Sequence, residues 1–174
     1  MMTPTLTTQR LMMRQFCPND AESFYRNYAE DAENHQYYAL PVYSLEKVKD
    51  LIEYWAIRQN VGSEVRWAIE NRANHEVIGI VALYYNKQHQ TGEICFGIGK
   101  EYWGKGLMRE VLYELFQYCF TILRLKEITA ACDLRNKRAI SVIKKCGMTY
   151  KKTVQEECSG RYYFNIYKKT NSQG

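Results

Sequence analysis

The sequence predicts an α/β protein in which helices cover both faces of a mixed sheet. Three strand-like segments rich in β-branched and aromatic residues follow one another at 65–70, 76–84 and 92–98. After them, apolar residues recur from Met108 to Phe120 with the i, i+3, i+4, i+7 spacing of an amphipathic helix. With its flanking segments, the chain has the predicted order β-α-α-β-β-β-α-β-α-β-β, which implies a mixed sheet between two helical layers.

Capping residues, turn residues and periodicity predict the other elements. Asn19 is predicted to cap the first helix, with Glu22 as its capping-box partner, and Ser44 to cap the second. The turn-like segment 71–74 predicts a hairpin, and Gly147 is predicted to end a short helix. The remaining predicted segments are a first strand at 9–15, an irregular stretch at 30–43, a strand at 127–132, a short helix at 136–146, and closing strands at about 149–157 and 161–168.

Length and composition predict one ordinary globular domain. The chain has 174 residues, of which 46% are apolar and 25% charged, so residues 1–174 are expected to form a single domain with a frayed tail at about 170–174. No segment approaches the ~20 apolar residues of a membrane span, and residues 1–10 lack the apolar core of a signal peptide. We expect a cytoplasmic monomer or homodimer with no membrane partner.

The cysteines and histidines predict neither disulfides nor a metal site. The six cysteines form no C-x-x-C pair, and several lie in apolar periodic segments, where a thiol behaves as a small hydrophobic group. His35, His75 and His89 are isolated in the sequence, and no zinc-ligand spacing is present. We therefore expect a reduced protein without a metal.

A net charge of +5 makes the chain mildly basic. A nucleic-acid-binding surface is one interpretation, but the chain carries no recognised nucleic-acid-binding motif. A solvated basic face beside an anionic cofactor is the simpler interpretation, and we predict no nucleic-acid partner. The basic residues of the C-terminal third are Lys137, Arg138, Lys144, Lys145, Lys151 and Lys152.

A glycine-bearing segment leads into the long helix, and it reads YWGKGLMR from Tyr102 to Arg109. Glycines at 104 and 106 allow backbone N–H groups to approach a diphosphate, and the helix N-terminus adds a favourable dipole. Lys105 and Arg109 can add direct charge. Two glycines are a weak signal by themselves, since a plain strand-to-helix turn has the same composition.

With this loop in its context, the chain resembles the GNAT N-acetyltransferase superfamily, and most closely its branch of ribosomal-protein N-terminal acetyltransferases and their small-molecule relatives. The resemblance spans nearly the whole chain in family order, and its YWGKG element is fairly specific. It implies the GNAT acyl-CoA N-acyltransferase fold, whose mostly antiparallel sheet has six to seven strands. The stretches that carry it are TQRLMMRQF at 8–16, WAIENRANHEVIGIVAL at 67–83, GEICFGIGKEYWGKGLMREVL at 92–112 and NKRAISVIKKCGM at 136–148.

The resemblance implies acetyl-CoA as cosubstrate, with its pyrophosphate in the loop at 103–109 and its pantetheine arm along the strand at 96–98. A free N–H on that strand could hydrogen-bond the thioester oxygen. Asn136 is expected to bind the pantetheine amides, or otherwise only to cap its helix. Met108 replaces a usual Gly or Ala, which is tolerable if only its backbone N–H faces the phosphate. The expected cofactor-binding residues are Phe96, Gly97, Ile98, Trp103, Gly104, Lys105, Gly106, Leu107, Met108, Arg109 and Asn136.

For catalysis, Glu93 is the candidate general base, since it matches an acid at this strand position in many family members. Its alternative role is a solvent-facing glutamate at a strand start. The family's usual proton donors are absent, because Ile143 and Ala139 stand at their positions. A thiolate with a pKa of ~8.5 leaves without much help, and water or the Ser141 hydroxyl could protonate it.

The predicted acceptor is a neutral primary amine, most simply the N-terminal amine of a peptide. Tyr38, Tyr84 and Tyr163 are candidates to line its cleft. The acidic residues between Glu30 and Glu33 would favour a cationic partner or simply form a solvated helix end. A polyamine, an aminoglycoside and a non-catalytic acyl-CoA-binding module therefore remain open.

Overall fold

The structure, a computed structural model, describes residues 3–37, 42–58, 64–157 and 161–171, with all side chains except those of 156–165. The strands found in these ranges are β1 Leu6–Thr7, β2 Leu11–Arg14, β3 Glu64–Asn71, β4 Glu76–Asn86, β5 Thr91–Ile98, β6 Glu127–Asp133, β7 Thr149–Glu157 and β8 Arg161–Thr170. Their order in the sheet is β1-β2-β3-β4-β5-β6-β8-β7.

The sheet is mixed and mostly antiparallel, as predicted, because only β5 and β6 pair in parallel within the described ranges. It holds eight described strands rather than six to seven. The additional strand, β1, is two residues long and pairs with β2 through Leu6 opposite Met13. So short a segment is too brief to show a two-residue periodicity in the sequence.

The helices of the described ranges are α1 Ala21–Phe24, α2 Ala32–His35, α3 Leu45–Arg58, α4 Leu107–Gln117 and α5 Lys137–Lys145. A π-helical turn extends α1 over Tyr25–Ala29, and another extends α4 over Tyr118–Ile122. None of these helices is both long and apolar enough to cross a membrane.

Two of the three predicted helix boundaries are confirmed. Ser44 Oγ accepts from Lys47 N at 3.2 Å at the start of α3, and Gly147 follows α5 with a left-handed φ of +79°. The predicted cap at Asn19 is wrong. Pro18–Asp20 forms a 3-10 turn instead, in which the Asp20 carboxylate accepts from Cys17 N at 2.8 Å.

Two hydrophobic layers lie on opposite faces of the sheet, which confirms helices on both sides. Helices α4 and α5 cover one face, where Leu112, Leu115 and Ile143 pack with Ile94. Helices α1 and α3 cover the other face. There Phe16, Phe24, Tyr28, Val48 and Ile52 pack with Ala68 and Val77.

An ion cluster ties the N-terminal part of the chain to the sheet. Arg14 on β2 donates to Glu70 on β3 at 2.5 Å and to both oxygens of Asp20 at 2.8 Å. Burial alone would raise the pKa of Glu70, but its hydrogen bonds with His75 and Arg14 outweigh burial and hold that pKa below its ordinary value.

Part of the predicted frayed tail is ordered. Strand β8 extends to Thr170, and Asn171 N donates to Lys126 O at 3.0 Å. Residues 172–174 lie outside the described ranges.

Candidate active site

Strands β5 and β6 run side by side for only part of their length. Their pairing ends where Ile94 lies opposite Ala130, although β5 continues along β4 as far as Ile98 and β6 continues along β8 as far as Asp133. The two strands therefore separate after Ile94, and the backbone of 95–98 has an open edge.

Backbone groups of β5 are directed to this open edge. Gly99 N donates to Ile78 O on β4 at 2.9 Å. Because alternate residues of a strand direct their N–H groups to opposite edges, those of Phe96 and Ile98 are directed away from β4. Ile98 O accepts from Trp103 Nε1 at 2.8 Å, so the indole ties the following loop to this edge.

The loop before α4 presents a row of free N–H groups. From Gly104 to Arg109, none of the six consecutive N–H groups has an acceptor in the described part of the chain. Gly104 and Gly106 have left-handed φ values of +72° and +76°, a region that a Cβ disfavours. The glycines thus permit a turn that leaves its donors available to an anion.

Arg10 holds this loop in place. Its Nη2 donates to Lys105 O at 3.0 Å, and its Nε donates to the Glu110 carboxylate at 2.6 Å. Thr8 Oγ1 donates to the other carboxylate oxygen of Glu110 at 2.9 Å. The loop is therefore anchored both to the N-terminal segment and, through Trp103, to the end of β5.

Two adjoining cavities connect the open strand edge with this loop. The edge cavity, of about 90 Å³, is lined by Tyr28, Glu33, Asn34, Tyr37, Phe96, Gly97, Ile98, Trp103, Met108, Asn136, Arg138, Ala139 and Val142. The loop cavity, of about 440 Å³, is lined by Ile98, Tyr102, Trp103, Gly104, Gly106, Leu107, Met108, Arg109, Lys137, Arg138, Ser141, Val142 and Lys145.

All the predicted cofactor-binding residues except Lys105 line one or both of these cavities. Lys105 lines a separate cavity of about 530 Å³ together with Arg10 and Arg72, and its ammonium lies 5.6 Å from the centre of the Tyr102 ring. Met108 is only 6% exposed and belongs to the apolar core. Its side chain therefore packs inside the fold and leaves the backbone N–H available.

Asn136 caps its helix and still has donors to offer. Its Oδ1 accepts from Ala139 N at 3.0 Å, as an N-cap residue does. Its Nδ2 has no acceptor among the described residues. Capping and the predicted ligand binding therefore involve different atoms of one side chain and do not exclude each other.

Arg138 lines both candidate cavities, although the sequence singled it out only as part of a basic face. Its guanidinium carbon lies 3.6 Å from the centre of the Trp103 ring, in a stacked cation–π contact. Arg109, Lys137 and Lys145 also line the loop cavity. The loop cavity is therefore positively charged as well as rich in free N–H groups.

A larger cavity, the sheet cavity, lies between α3 and the sheet and has a volume of about 840 Å³. Among the charged residues lining it, Arg66 pairs with Glu64, and Lys151 Nζ lies 2.5 Å from the Glu127 carboxylate. Glu93 has no ionic partner among the described residues. The other lining residues are Tyr54, Trp55, Tyr84, Tyr85, Asn86, Thr91, Gly92 and Thr129.

The predicted catalytic and substrate residues are only partly brought together. Tyr84 lies directly opposite Glu93 in the β4–β5 register, and its hydroxyl accepts from Arg66 at 2.5 Å. Ser141 lines the loop cavity, so it does not share a cavity with Glu93. Tyr38 and the side chain of Tyr163 lie outside the described part of the structure.

Of the three acidic residues at 30–33, Asp31 and Glu33 are engaged within the protein. Asp31 caps α2 by accepting from Glu33 N at 2.9 Å. Lys100 lies 3.5 Å from the Asp31 carboxylate and 3.6 Å from that of Glu33, and both raise the pKa of Lys100. Nowhere among the described residues are three His, Cys, Asp or Glu side chains grouped so that they could hold a metal ion.

Residues 10–149 match the family model of the acetyltransferase (GNAT) domain. The chain belongs to the GNAT acetyltransferase family. It is 32% identical over 148 residues to YoaA of Bacillus subtilis strain 168, described as an uncharacterised N-acetyltransferase, covering 84% of this chain and 83% of YoaA. It is 27% identical over 173 residues to the similarly described p20 of Bacillus licheniformis, covering 95% of this chain and 97% of p20.

Solved GNAT structures share the fold at low sequence identity. The ribosomal-protein-S5-alanine acetyltransferase of Vibrio fischeri superposes with a TM-score of 0.80 at 18% identity, covering 97% of each chain. The microcin C7 self-immunity acetyltransferase MccE, solved with acetyl-CoA and AMP, superposes with a TM-score of 0.84 at 22% identity, covering 94% of each chain. These likenesses confirm the predicted GNAT fold. The family model and the relative YoaA confirm the predicted N-acetyltransferase class.

GNAT enzymes use acetyl-CoA, and the described residues fit it. The free N–H groups of 104–109 and the basic side chains beside them suit a diphosphate. The open edge at Phe96 and Ile98 offers strand-like donors to an amide-bearing arm.

Proposed function

We propose that this GNAT enzyme acetylates the N-terminal amine of a peptide or protein, with Glu93 as the general base. The observation that carries the proposal is that the Glu93 carboxylate is free. Among the described residues that line the sheet cavity, Glu93 is the one carboxylate without an ionic partner. It also lies on β5, the strand that has the open edge.

On the donor side, acetyl-CoA supplies an acetyl group activated as a thioester. The N–H groups of 104–109 hold its pyrophosphate, with charge from Arg109 and Arg138. Phe96 and Ile98 donate from the open edge, and Asn136 donates through Nδ2. Because Ser141 lines the loop cavity with these basic residues, we assign it to the phosphate end rather than to proton donation.

On the acceptor side, Glu93 lies three residues before Phe96, about 10 Å along the strand at ~3.3 Å per residue. One water between the Glu93 carboxylate and the amine bridges that distance, so Glu93 takes the proton indirectly. No residue has to protonate the leaving group, because a thiol pKa of ~8.5 makes the thiolate a good leaving group at neutral pH.

A single free carboxylate matches an amine that is easily deprotonated. A peptide α-amine, with a pKa of ~7.7–8.0, is neutral in roughly one molecule in ten at pH 7, whereas a lysine side chain with a pKa of ~10.4 is neutral in about one in 2,500. The N-terminal amine therefore requires the least help from the site.

A polyamine is a poorer fit to the described residues. It would need several carboxylates free to bind its separate charges, but Glu64 is engaged by Arg66, Glu127 by Lys151, and Asp31 and Glu33 by Lys100. We therefore rank the small-molecule acceptor second.

The test is mass spectrometry on a peptide that carries a free N-terminus and an internal lysine, incubated with enzyme and acetyl-CoA. We expect the acetyl group on the N-terminus. The same peptide with a blocked N-terminus is the control and should stay unlabelled.

Predominant labelling of the lysine would contradict the proposal, and rapid turnover of spermine without peptide labelling would favour the small-molecule acceptor. Acetyl-CoA binding with no acetyl transfer to any amine would indicate a non-catalytic binding module.

A further inference from the structure

Tyr28 lines the edge cavity beside the open edge of β5 and takes no part in the acetyl-CoA contacts proposed above. The π-helical turn Tyr25–Ala29 carries it across the end of β5. Its ring stacks on Phe24 with centroids 5.3 Å apart and meets the His35 ring edge-on at 5.2 Å. The ring is therefore held on two sides, and only 8% of Tyr28 is exposed.

The Tyr28 hydroxyl occupies the place where a side chain at position 97 would be. A Cβ built on Gly97 would lie 2.2 Å from Tyr28 Oη and 2.7 Å from its Cζ. This contact explains the glycine at 97 as a close approach of two segments. It also puts the hydroxyl against the backbone between Phe96 and Ile98, whose N–H groups are directed to the open edge.

The hydroxyl is a donor without an acceptor. Tyr28 lines the edge cavity, and no described residue accepts a hydrogen bond from its Oη. Because the hydroxyl is accessible from this cavity and is not one of the fully buried unpaired atoms, an acceptor on a ligand bound there can replace water as its hydrogen-bond partner.

We propose that the Tyr28 hydroxyl donates a hydrogen bond to the acetyl carbonyl oxygen of bound acetyl-CoA, beside the N–H groups of β5. The inference rests on the acetyl-CoA site proposed above and is independent of which amine is the acceptor. It assigns a hydrogen-bond donor to the π-helical turn that extends α1. On α5, the family's usual donor positions are occupied by Ala139 and Ile143.

Burial raises the pKa of Tyr28 to about 12, with Tyr43 and Cys95 contributing. The hydroxyl therefore stays protonated throughout the neutral range and serves as a constant donor. It is unsuited to give its proton to a thiolate, since a thiol has a pKa of only ~8.5. Tyr28 is in this respect a hydrogen-bond donor and not a general acid.

The test compares Tyr28→Phe with the wild-type enzyme by calorimetric titration of three ligands: acetyl-CoA, S-ethyl-CoA, which lacks the carbonyl oxygen, and CoA. Phenylalanine keeps the ring and removes only the hydroxyl. We expect the variant to bind acetyl-CoA about 2- to 12-fold more weakly, the equivalent of one hydrogen bond. Its affinity for S-ethyl-CoA and CoA should change less than 2-fold, at both pH 6 and pH 9.

Tyr118→Phe is the matched control. Tyr118 is also 8% exposed, but it lies in the core on the other face of the sheet, so its variant should bind all three ligands as the wild type does. Equal weakening of acetyl-CoA and S-ethyl-CoA in Tyr28→Phe, or no weakening, would overturn the inference.

The inference and the proposed acceptor fail in different ways. If the wild type acetylates no peptide but Tyr28→Phe selectively weakens acetyl-CoA, only the acceptor is wrong. If the wild type does not bind acetyl-CoA, both are wrong.

Discussion

Replacing Trp103 by phenylalanine should weaken acetyl-CoA binding through the loop rather than through a lost ligand contact. The wild-type indole donates to Ile98 O at 2.8 Å. Its ring also stacks under Arg138, whose guanidinium carbon lies 3.6 Å from the ring centre. Phenylalanine keeps a ring for the stack, so the loss is mainly one hydrogen bond, worth about 0.5–1.5 kcal/mol.

The loss reaches the ligand because the loop carries the six free N–H groups. Without its tether the loop samples other positions, and apparent affinity falls by the fraction of molecules that hold the binding conformation. The full value of the bond corresponds to an affinity about 2- to 12-fold lower. Calorimetric titration with acetyl-CoA measures this loss, and urea unfolding measures the loss of stability.

Trp67 provides the matched control. Its indole also donates to a backbone carbonyl, that of Pro4, at 2.7 Å, but it lies fully buried in the core away from the loop. Trp67→Phe should lower the free energy of unfolding and leave acetyl-CoA affinity unchanged. If Trp103→Phe lowers stability with no change in affinity, the tether has no part in binding.

Two further predictions concern catalysis and acid stability. If Glu93 is the base, Glu93→Gln should lower turnover about 10²-fold in steady-state assays. The control is Glu127→Gln, which should change turnover little because it removes a carboxylate of the same cavity that is already paired with Lys151. Equal effects of the two substitutions would refute the assignment. The hydrogen bonds that lower the pKa of Glu70 in the folded protein also stabilise the fold at neutral pH. This stabilisation is lost as the pH falls and the Glu70 carboxylate becomes protonated in the folded protein. The stability lost in Glu70→Gln, measured by urea unfolding from pH 7 to pH 3, should therefore shrink below about pH 4.5, and a loss that is constant with pH would contradict the interpretation.

Local patterns were sufficient for most of the fold. The strands β3, β4 and β5, the helix α4 and the end of α5 at Gly147 were predicted from periodicity and turn residues, which act over only a few positions. The cap predicted at Asn19 was wrong because Arg14, from a neighbouring strand, holds both oxygens of Asp20 and favours a different turn.

The sequence by itself determined the family, and it predicted the loop that we propose binds acetyl-CoA, since the glycines at 104 and 106 act through their own backbone conformation. Only the tertiary structure decided which charges remain available. It directs Lys105 away from the loop cavity, brings Arg138 onto Trp103 and leaves Glu93 without a partner in the described sheet cavity. Ion pairs and stacks join residues distant in the chain, so their partners depend on how the elements pack and not on sequence spacing.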